Sequence, residues 1–447
     1  MSALLGPETS LVARLSRGAA ALAFVAALTA CAPTEEVLPG PREDVSRADV
    51  APVRIADAAR PITLAAPTEN ASWTHPGGNA SHRVGHVALA ARPSLAWSAS
   101  IGAGDSRKAR INVQPVVAGN RIFTVDADGI VTATSAEGAT LWTQDLTPPL
   151  ETTGQGGSHG LSLGGGLLYV NTGFGRVVAL DPATGDTRWT QDLDALGGGS
   201  ATYFNGRLYV SARDSLGWAI NAETGRVEWQ INGTPSGSGY VGGAGPAVNS
   251  TLAVFPFPSG ELRAVFRRGG LPRWSATVLG RRSGVAYAVV SDVSADPVIA
   301  DGRLYVANPA GRIVALDLTT GNRIWTAREG ALTAPVVAGG SVFIVSDQNA
   351  LARLDAANGA AIWSRALPLF EEEKERRQKT VYAHHGPVLA GGLLWVASSD
   401  EVLRAFDPET GQQMQSLELP GGAAAAPAVA NGTLYVVTES GRLMAFR

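Results

Sequence analysis

Short apolar runs separated by turns rich in Gly, Asp and Asn recur from about Leu95 to Arg447. One segment, Ala179-Leu180-Asp181-Pro182-Ala183-Thr184-Gly185-Asp186-Thr187-Arg188-Trp189, returns nearly unchanged from Ala315 through Asp317 and Gly321 to Trp325. Related versions are centred on Gly138, Gly225, Gly270, Gly359 and Gly411. The residue four places beyond these glycines is Trp142, Trp189, Trp229, Trp274, Trp325, Trp363 or, in the last case, Gln415. The pattern predicts a strand, a tight turn in which Asp or Asn caps backbone amides and Gly takes the positive φ, and a returning strand opened by Trp.

Upstream of the hairpins at Gly185, Gly225, Gly321 and Gly411 lies a Leu-aromatic-Val strand, as in Leu168-Tyr169-Val170 and Leu304-Tyr305-Val306, and the others carry a similar apolar run. A short strand opened by Pro115, Pro297, Pro335 or Pro387 precedes it, so each repeat is four strands. Counted from Trp97 through Gln415, successive fourth strands are 38 to 52 residues apart, the period of a propeller blade. The last repeat ends on its third strand at Phe446, and Leu95-Ala96-Trp97-Ser98 has the sequence of a fourth strand with nothing before it. Pairing the two closes a ring and removes its open edges. The chain is therefore expected to be all-β: an eight-bladed β-propeller of four-stranded antiparallel blades, closed by the strand near Trp97.

Composition agrees: of 447 residues, 45% are hydrophobic, 17% are charged, and 53 Gly and 26 Pro are spread between the apolar runs. A net charge of -3 gives no general attraction for nucleic acid. At the N-terminus, Arg14 and Arg17 precede an apolar stretch too short to span a bilayer, which runs into Leu28-Thr29-Ala30-Cys31. This resembles a bacterial lipoprotein signal peptide, and Cys31, the sole cysteine, is its expected lipidation site. In that class Ala32, rather than Asp, after the cysteine implies sorting to the outer membrane. The expected organisation is a signal peptide over 1–30, a Pro- and Glu-rich flexible tether over 31–65, and the propeller over 66–447, with 66–94 as an N-terminal arm.

Candidate chemistry is sparse. His75, His82 and His86 follow no zinc spacing and are expected to belong to an ordered arm packed on a blade. His159, His384 and His385 sit at the starts of first strands. The aspartates Asp181, Asp317, Asp355 and Asp407 fall one per blade, each with a turn to cap. Glu371 to Arg377 reads as a helical turn on a solvated connecting loop. No nucleophile-base pair, phosphate loop or metal cluster emerges, and neither a cofactor nor a catalytic residue is expected.

The Ala-x-Asp-x-x-Thr-Gly-x-x-x-Trp pattern resembles the repeat of the pyrroloquinoline-quinone dehydrogenases. With the lipoprotein signal and eight blades, the chain from about Trp73 onward resembles the outer-membrane β-barrel assembly lipoprotein B (BamB) family. The resemblance implies a non-enzymatic scaffold of the outer-membrane β-barrel assembly (BAM) complex. Such a scaffold is lipid-anchored in the outer membrane and faces the periplasm. It binds the polypeptide-transport-associated (POTRA) domains of BamA beside other BAM components and assists unfolded outer-membrane clients. The family's acidic Ser-Asp-Val-Asp run is matched by Ser291-Asp292-Val293-Ser294, with Ser294 replacing the second acid. Its Leu-x-Leu-Arg loop would fall near Ser238, Tyr240 and Val241 and is not retained. Connections between blades emerge on one face, and Arg281-Arg282 lies on the same connection as Asp292. The expected partner-binding set is thus Tyr240, Val241, Arg281, Arg282, Asp292 and Ser294, with reversal of the Asp292 charge expected to weaken binding without lowering the melting temperature; the alternative is that Asp292 satisfies loop amides and the arginines are solvated. Alternatives are a quinone-dependent dehydrogenase, against which stands the absence of a vicinal cysteine pair, and a propeller for another envelope ligand.

Overall fold

The computed structural model describes Asp57, 59–152, 157–197, 199–240, 242–280, Arg282, Val290 and 292–447. Cys31, Val241 and Arg281 lie outside the described residues. Eight antiparallel sheets follow one another along the chain. Blades 1 to 7 cover 116–145, 160–192, 202–232, 247–277, 298–327, 336–366 and 384–418. Blade 8 takes three strands from 428–446 and its fourth from Leu95–Ser100. That closing strand pairs in register, Leu95 with Phe446 through Ser100 with Arg442. Ser94 and Arg447 exchange backbone hydrogen bonds at 2.7 and 2.9 Å just beyond it.

In every blade the pairing of third and fourth strands slips by one residue just before the Trp or Gln position. A bulge of this kind re-aims the following side chain. Here it turns the indole toward the next blade's hairpin, where it lies under the positive-φ glycine. A Cβ on Gly321 would lie 2.6 Å from the Trp274 ring, and one on Gly359 2.5 Å from that of Trp325. The indole N–H then donates to a carbonyl of the same turn, as from Trp97 to Ala136, Trp142 to Pro182, Trp189 to Ala222, Trp274 to Leu318, Trp325 to Ala356 and Trp363 to Pro408, at 2.8 to 3.3 Å.

Two seams depart from this. Trp229 reaches Gly270, but its N–H has no hydrogen-bond partner among the described residues, while the Arg267 carbonyl of that turn accepts from the Tyr209 hydroxyl. Gln415 faces blade 8, whose third and fourth strands are the two ends of the ring and have no hairpin joining them. With no turn glycine to dock on, its amide donates to the Ala91 carbonyl at 2.6 Å.

The arm crosses the ring and bonds to every blade in turn. Arg353 donates to the Arg60 carbonyl and Ile62 packs on blade 6, so contact begins ahead of residue 66. Val87 bonds Leu389 and Gly391 of blade 7, and Asn70 bonds Val429 and Asn431 of blade 8. Ser72–Trp73 forms a fifth strand on blade 1. Thr74, His75, Ala80 and Ser81 accept from Leu163, Tyr203, Val248 and Ile299 of blades 2 to 5. The expectation of an arm on one blade is thereby extended to all eight.

Trp363 is fully buried, so Trp363→Ala should destabilise the ring by about 3–5 kcal/mol through the cavity it leaves. Gln415→Ala, at the equivalent place without a hairpin, should cost less than about 1 kcal/mol. Denaturant unfolding of the two variants compares them directly.

Candidate functional site

Because neighbouring strands are antiparallel, the turns between strands 1 and 2 and between 3 and 4 open on one face. The turns between strands 2 and 3 and the connections between blades open on the other. The arm bonds near the ends of the first strands and so belongs to the first face. On the ring axis its residues Trp73, Gly77 and His82 form part of the lining of a channel of about 350 Å³. Connection residues Asn112, Tyr240, Ser294 and Leu332 line the rest, and Asn112 and Leu332 are exposed to solvent.

The two central connections, 233–246 and 278–297, are tied from beneath. The carboxylate of Asp292 is 1% exposed and pairs with Arg213, from the strand 2–3 turn of blade 3, at 2.9 Å. It also accepts the Tyr240 N–H at 2.7 Å. The approach at Gly239 is close: a Cβ there would meet the Arg213 guanidinium at 1.7 Å and push it off its carboxylate partner. Asp296 accepts the Gly245 N–H at 2.7 Å. Burial pushes its carboxyl up from the ordinary range, against the pull of the Gly245 amide and of His82. Arg282 reaches over Gly311 of blade 5 to grip Asp347 of blade 6 through two hydrogen bonds of 2.7 and 2.8 Å.

The predicted residues therefore separate. Tyr240, Asp292 and Ser294 come together, whereas Arg282 is committed to blade 6. Asp292 is an interior anchor rather than a surface acid, which corrects the expectation that its charge would leave stability untouched. Tyr240 and Ser294 line the channel mouth, and the Ser294 hydroxyl has no hydrogen-bond partner among the described residues.

Sequence reasoning missed the apolar character of this face. Leu150, Leu196, Leu279, Leu332, Leu369, Phe370 and Val381 all lie on connections between blades and are 38 to 98% exposed. The signal was available as single apolar residues in loops otherwise built from Gly, Pro and polar residues. Phe370 and Val381 pair as an antiparallel bridge, so the 367–383 connection is a small finger, with a 3-10 turn at Glu375–Arg377 on its exposed tip. Its apolar stem adds a feature to the solvated loop that the sequence predicts.

Among the described residues no three His, Cys, Asp or Glu side chains are grouped to hold a metal. The histidines are enclosed instead. Burial pushes His159 and His385 down to about 4, the latter helped by His384. Burial, with His82 beside it, pushes His75 down to about 3. Its Nε2 accepts the Tyr203 N–H at 3.0 Å, which suits a neutral ring.

Comparison with known proteins gives a family and a fold. A family model described as outer membrane protein assembly factor BamB matches residues 127–365 and 371–447. The chain is 24% identical to the outer membrane protein assembly factor BamB of Yersinia pestis over 363 residues, 79% of this chain and 88% of that protein. The crystal structure of BamB from Moraxella catarrhalis superposes with a TM-score of 0.65 at 18% identity, covering 80% of this chain and all of that one. The quinohemoprotein alcohol dehydrogenase of Comamonas testosteroni gives 0.60 at 16% identity, covering 90% and 82%, a likeness of fold alone.

Removing the Asp292 charge should leave the Arg213 guanidinium half-buried and unpaired. Asp292→Asn is expected to cost about 3 kcal/mol, against less than about 1 kcal/mol for Asp301→Asn in the exposed pair with Arg83. Chemical denaturation of the two variants measures the difference. Acid adds a second test. An unfolded histidine takes up a proton near pH ~6.5 that folded His75 refuses, so its contribution to stability is lost as pH falls from there toward about 3. His75→Gln should lose less melting temperature than the native chain between about pH 7 and about pH 4.

Proposed function

The chain belongs to the outer membrane protein assembly factor BamB family, and on that footing we propose that it is a non-enzymatic scaffold of the outer-membrane β-barrel assembly machinery. It is tethered through a lipid on Cys31 and docks the POTRA domains of BamA on the face that carries the connections between blades. The observation that carries the docking face is its combination of rigidity and apolar exposure. Buried ion pairs at Asp292 and Asp347 hold the connections that carry Tyr240, Leu279 and Leu332, and the face also offers Leu196 and Phe370 to solvent. A pre-organised surface with apolar anchors and a polar rim is what a moderate protein interface requires. In this reading Tyr240, Val241, Arg281 and Ser294 contribute to the contact surface, whereas Asp292 and Arg282 act by holding it in place.

A dehydrogenase reading draws only on the shared fold. The axial channel is lined by a single carboxylate, Asp296, which already accepts the Gly245 N–H, and among the described residues no three His, Cys, Asp or Glu side chains are grouped there. The scaffold reading is favoured for that reason and for the family membership.

Binding of the POTRA region to the chain without residues 1–30 tests the proposal. Leu196→Glu combined with Leu332→Glu should weaken binding about tenfold or more, or ~1.4 kcal/mol, with no change in melting temperature. Undiminished affinity would move the interface elsewhere. Cys31→Ala should shift the protein from the membrane to the soluble periplasmic fraction.

A further inference from the structure

The strand 3–4 hairpins of blades 2 to 7 share one backbone turn, in which the glycine N–H bonds the carbonyl four residues back. In blades 2, 3, 5, 6 and 7 its opening residue is Asp181, Asn221, Asp317, Asp355 or Asp407, whose side chain accepts amide hydrogens of the turn. Blade 4 keeps the turn, with the Gly270 N–H bonded to the Phe266 carbonyl at 2.9 Å, but replaces the polar cap by Phe266. After its glycine comes Leu271, where the others have Ala139, Asp186, Arg226, Asn322, Ala360 or Gln412. Phe266 is 41% and Leu271 67% exposed. Arg268 and Arg273 flank them on the surface. Arg267 turns inward, donating to the Ser250 carbonyl and lying 5.0 Å over the Phe204 ring, and so braces the base of the hairpin.

The position of this tip matters. All strand 3–4 turns open on the face away from the proposed docking connections. The described chain also begins there, with Asp57 paired to Arg365 and Arg60 to Asp355 beside the blade 6 hairpin. From Asp57 the 26 residue steps back to Cys31 span at most about 90 Å when fully extended. A lipid on Cys31 would therefore be joined to the propeller from this face, which can meet a bilayer without the tether passing around the ring.

From these two observations we infer that the blade 4 hairpin, through Phe266, Arg268, Leu271 and Arg273, is a contact site for an anionic phospholipid surface. The inference rests on the anchoring at Cys31. Apolar side chains beside guanidinium groups match acyl-chain edges beside phosphates, and each basic residue at such a surface strengthens binding about fivefold. Four side chains make a weak contact in free solution. A tether of this length supplies an effective concentration of about millimolar order, at which a weak contact is populated. The hairpin then fixes which way the propeller faces, leaving the connections between blades turned toward the periplasm.

The test supplies the tether chemically, so that its outcome is separate from that of lipidation in the cell and of POTRA binding. The ring and its arm are complete from Asp57 onward, so residues 31–447 can be coupled through Cys31 to a maleimide lipid in phosphatidylglycerol or phosphatidylcholine vesicles. Hydrogen exchange of amides 266–273 should be at least about threefold slower on the anionic vesicles. The difference should vanish in Arg268→Glu/Arg273→Glu, with exchange elsewhere in the ring unchanged. Equal exchange on both surfaces, slowing that persists in the double variant, or protection of the 367–383 finger instead would overturn the inference.

Discussion

The ring depends on one contact repeated seven times: a fourth-strand tryptophan lying beneath the hairpin glycine of the next blade. Without it each four-stranded sheet would expose one apolar face and have no fixed angle to its neighbour. Two features of each repeat make the contact: a bulge before the tryptophan turns the ring outward, and a residue without a Cβ lets it come close. At six of the seven a turn carbonyl also takes the indole N–H. Each feature is local in sequence, yet together they join adjacent blades. The period of the chain thereby becomes the geometry of the molecule.

The closure shows how strictly the contact follows topology. Between blades 7 and 8 there is no hairpin, and there the tryptophan is replaced by Gln415. What holds that seam is the strand pairing of Leu95–Ser100 with Arg442–Phe446, reinforced by an arm that bonds to all eight blades. The arm also divides the propeller's two faces. It occupies the one that the N-terminal tether enters, and leaves the connections between blades as the surface available to partners.

The fold was largely legible in the sequence because its determinants repeat. Blade number, the four-strand unit and the pairing of the Trp97 strand with Phe446 all follow from spacing. The candidate site was less legible, because its geometry depends on contacts between distant residues. Nothing near Asp292 reveals that Arg213 will neutralise it, and nothing near Arg282 points to Asp347, 65 residues away. An acidic residue in a loop reads as a surface group until its partner is known. The apolar residues of the connections were visible but unremarkable singly, since only the ring brings them to a common face. The blade 4 hairpin was counted as one repeat among seven, and its exchange of a polar cap for Phe266 acquired meaning only once the tether was placed on the same face.

The central claim is a division of labour, with partner docking on the connections between blades and membrane attachment on the opposite face. A cryo-electron microscopy map of the chain bound to the barrel-assembly machinery tests it most directly. The account predicts partner density over Leu332, Tyr240 and the neighbouring connections, with the strand 3–4 hairpins free of protein. Density seated on those hairpins, or on the outer edges of the fourth strands with the connections bare, would contradict it.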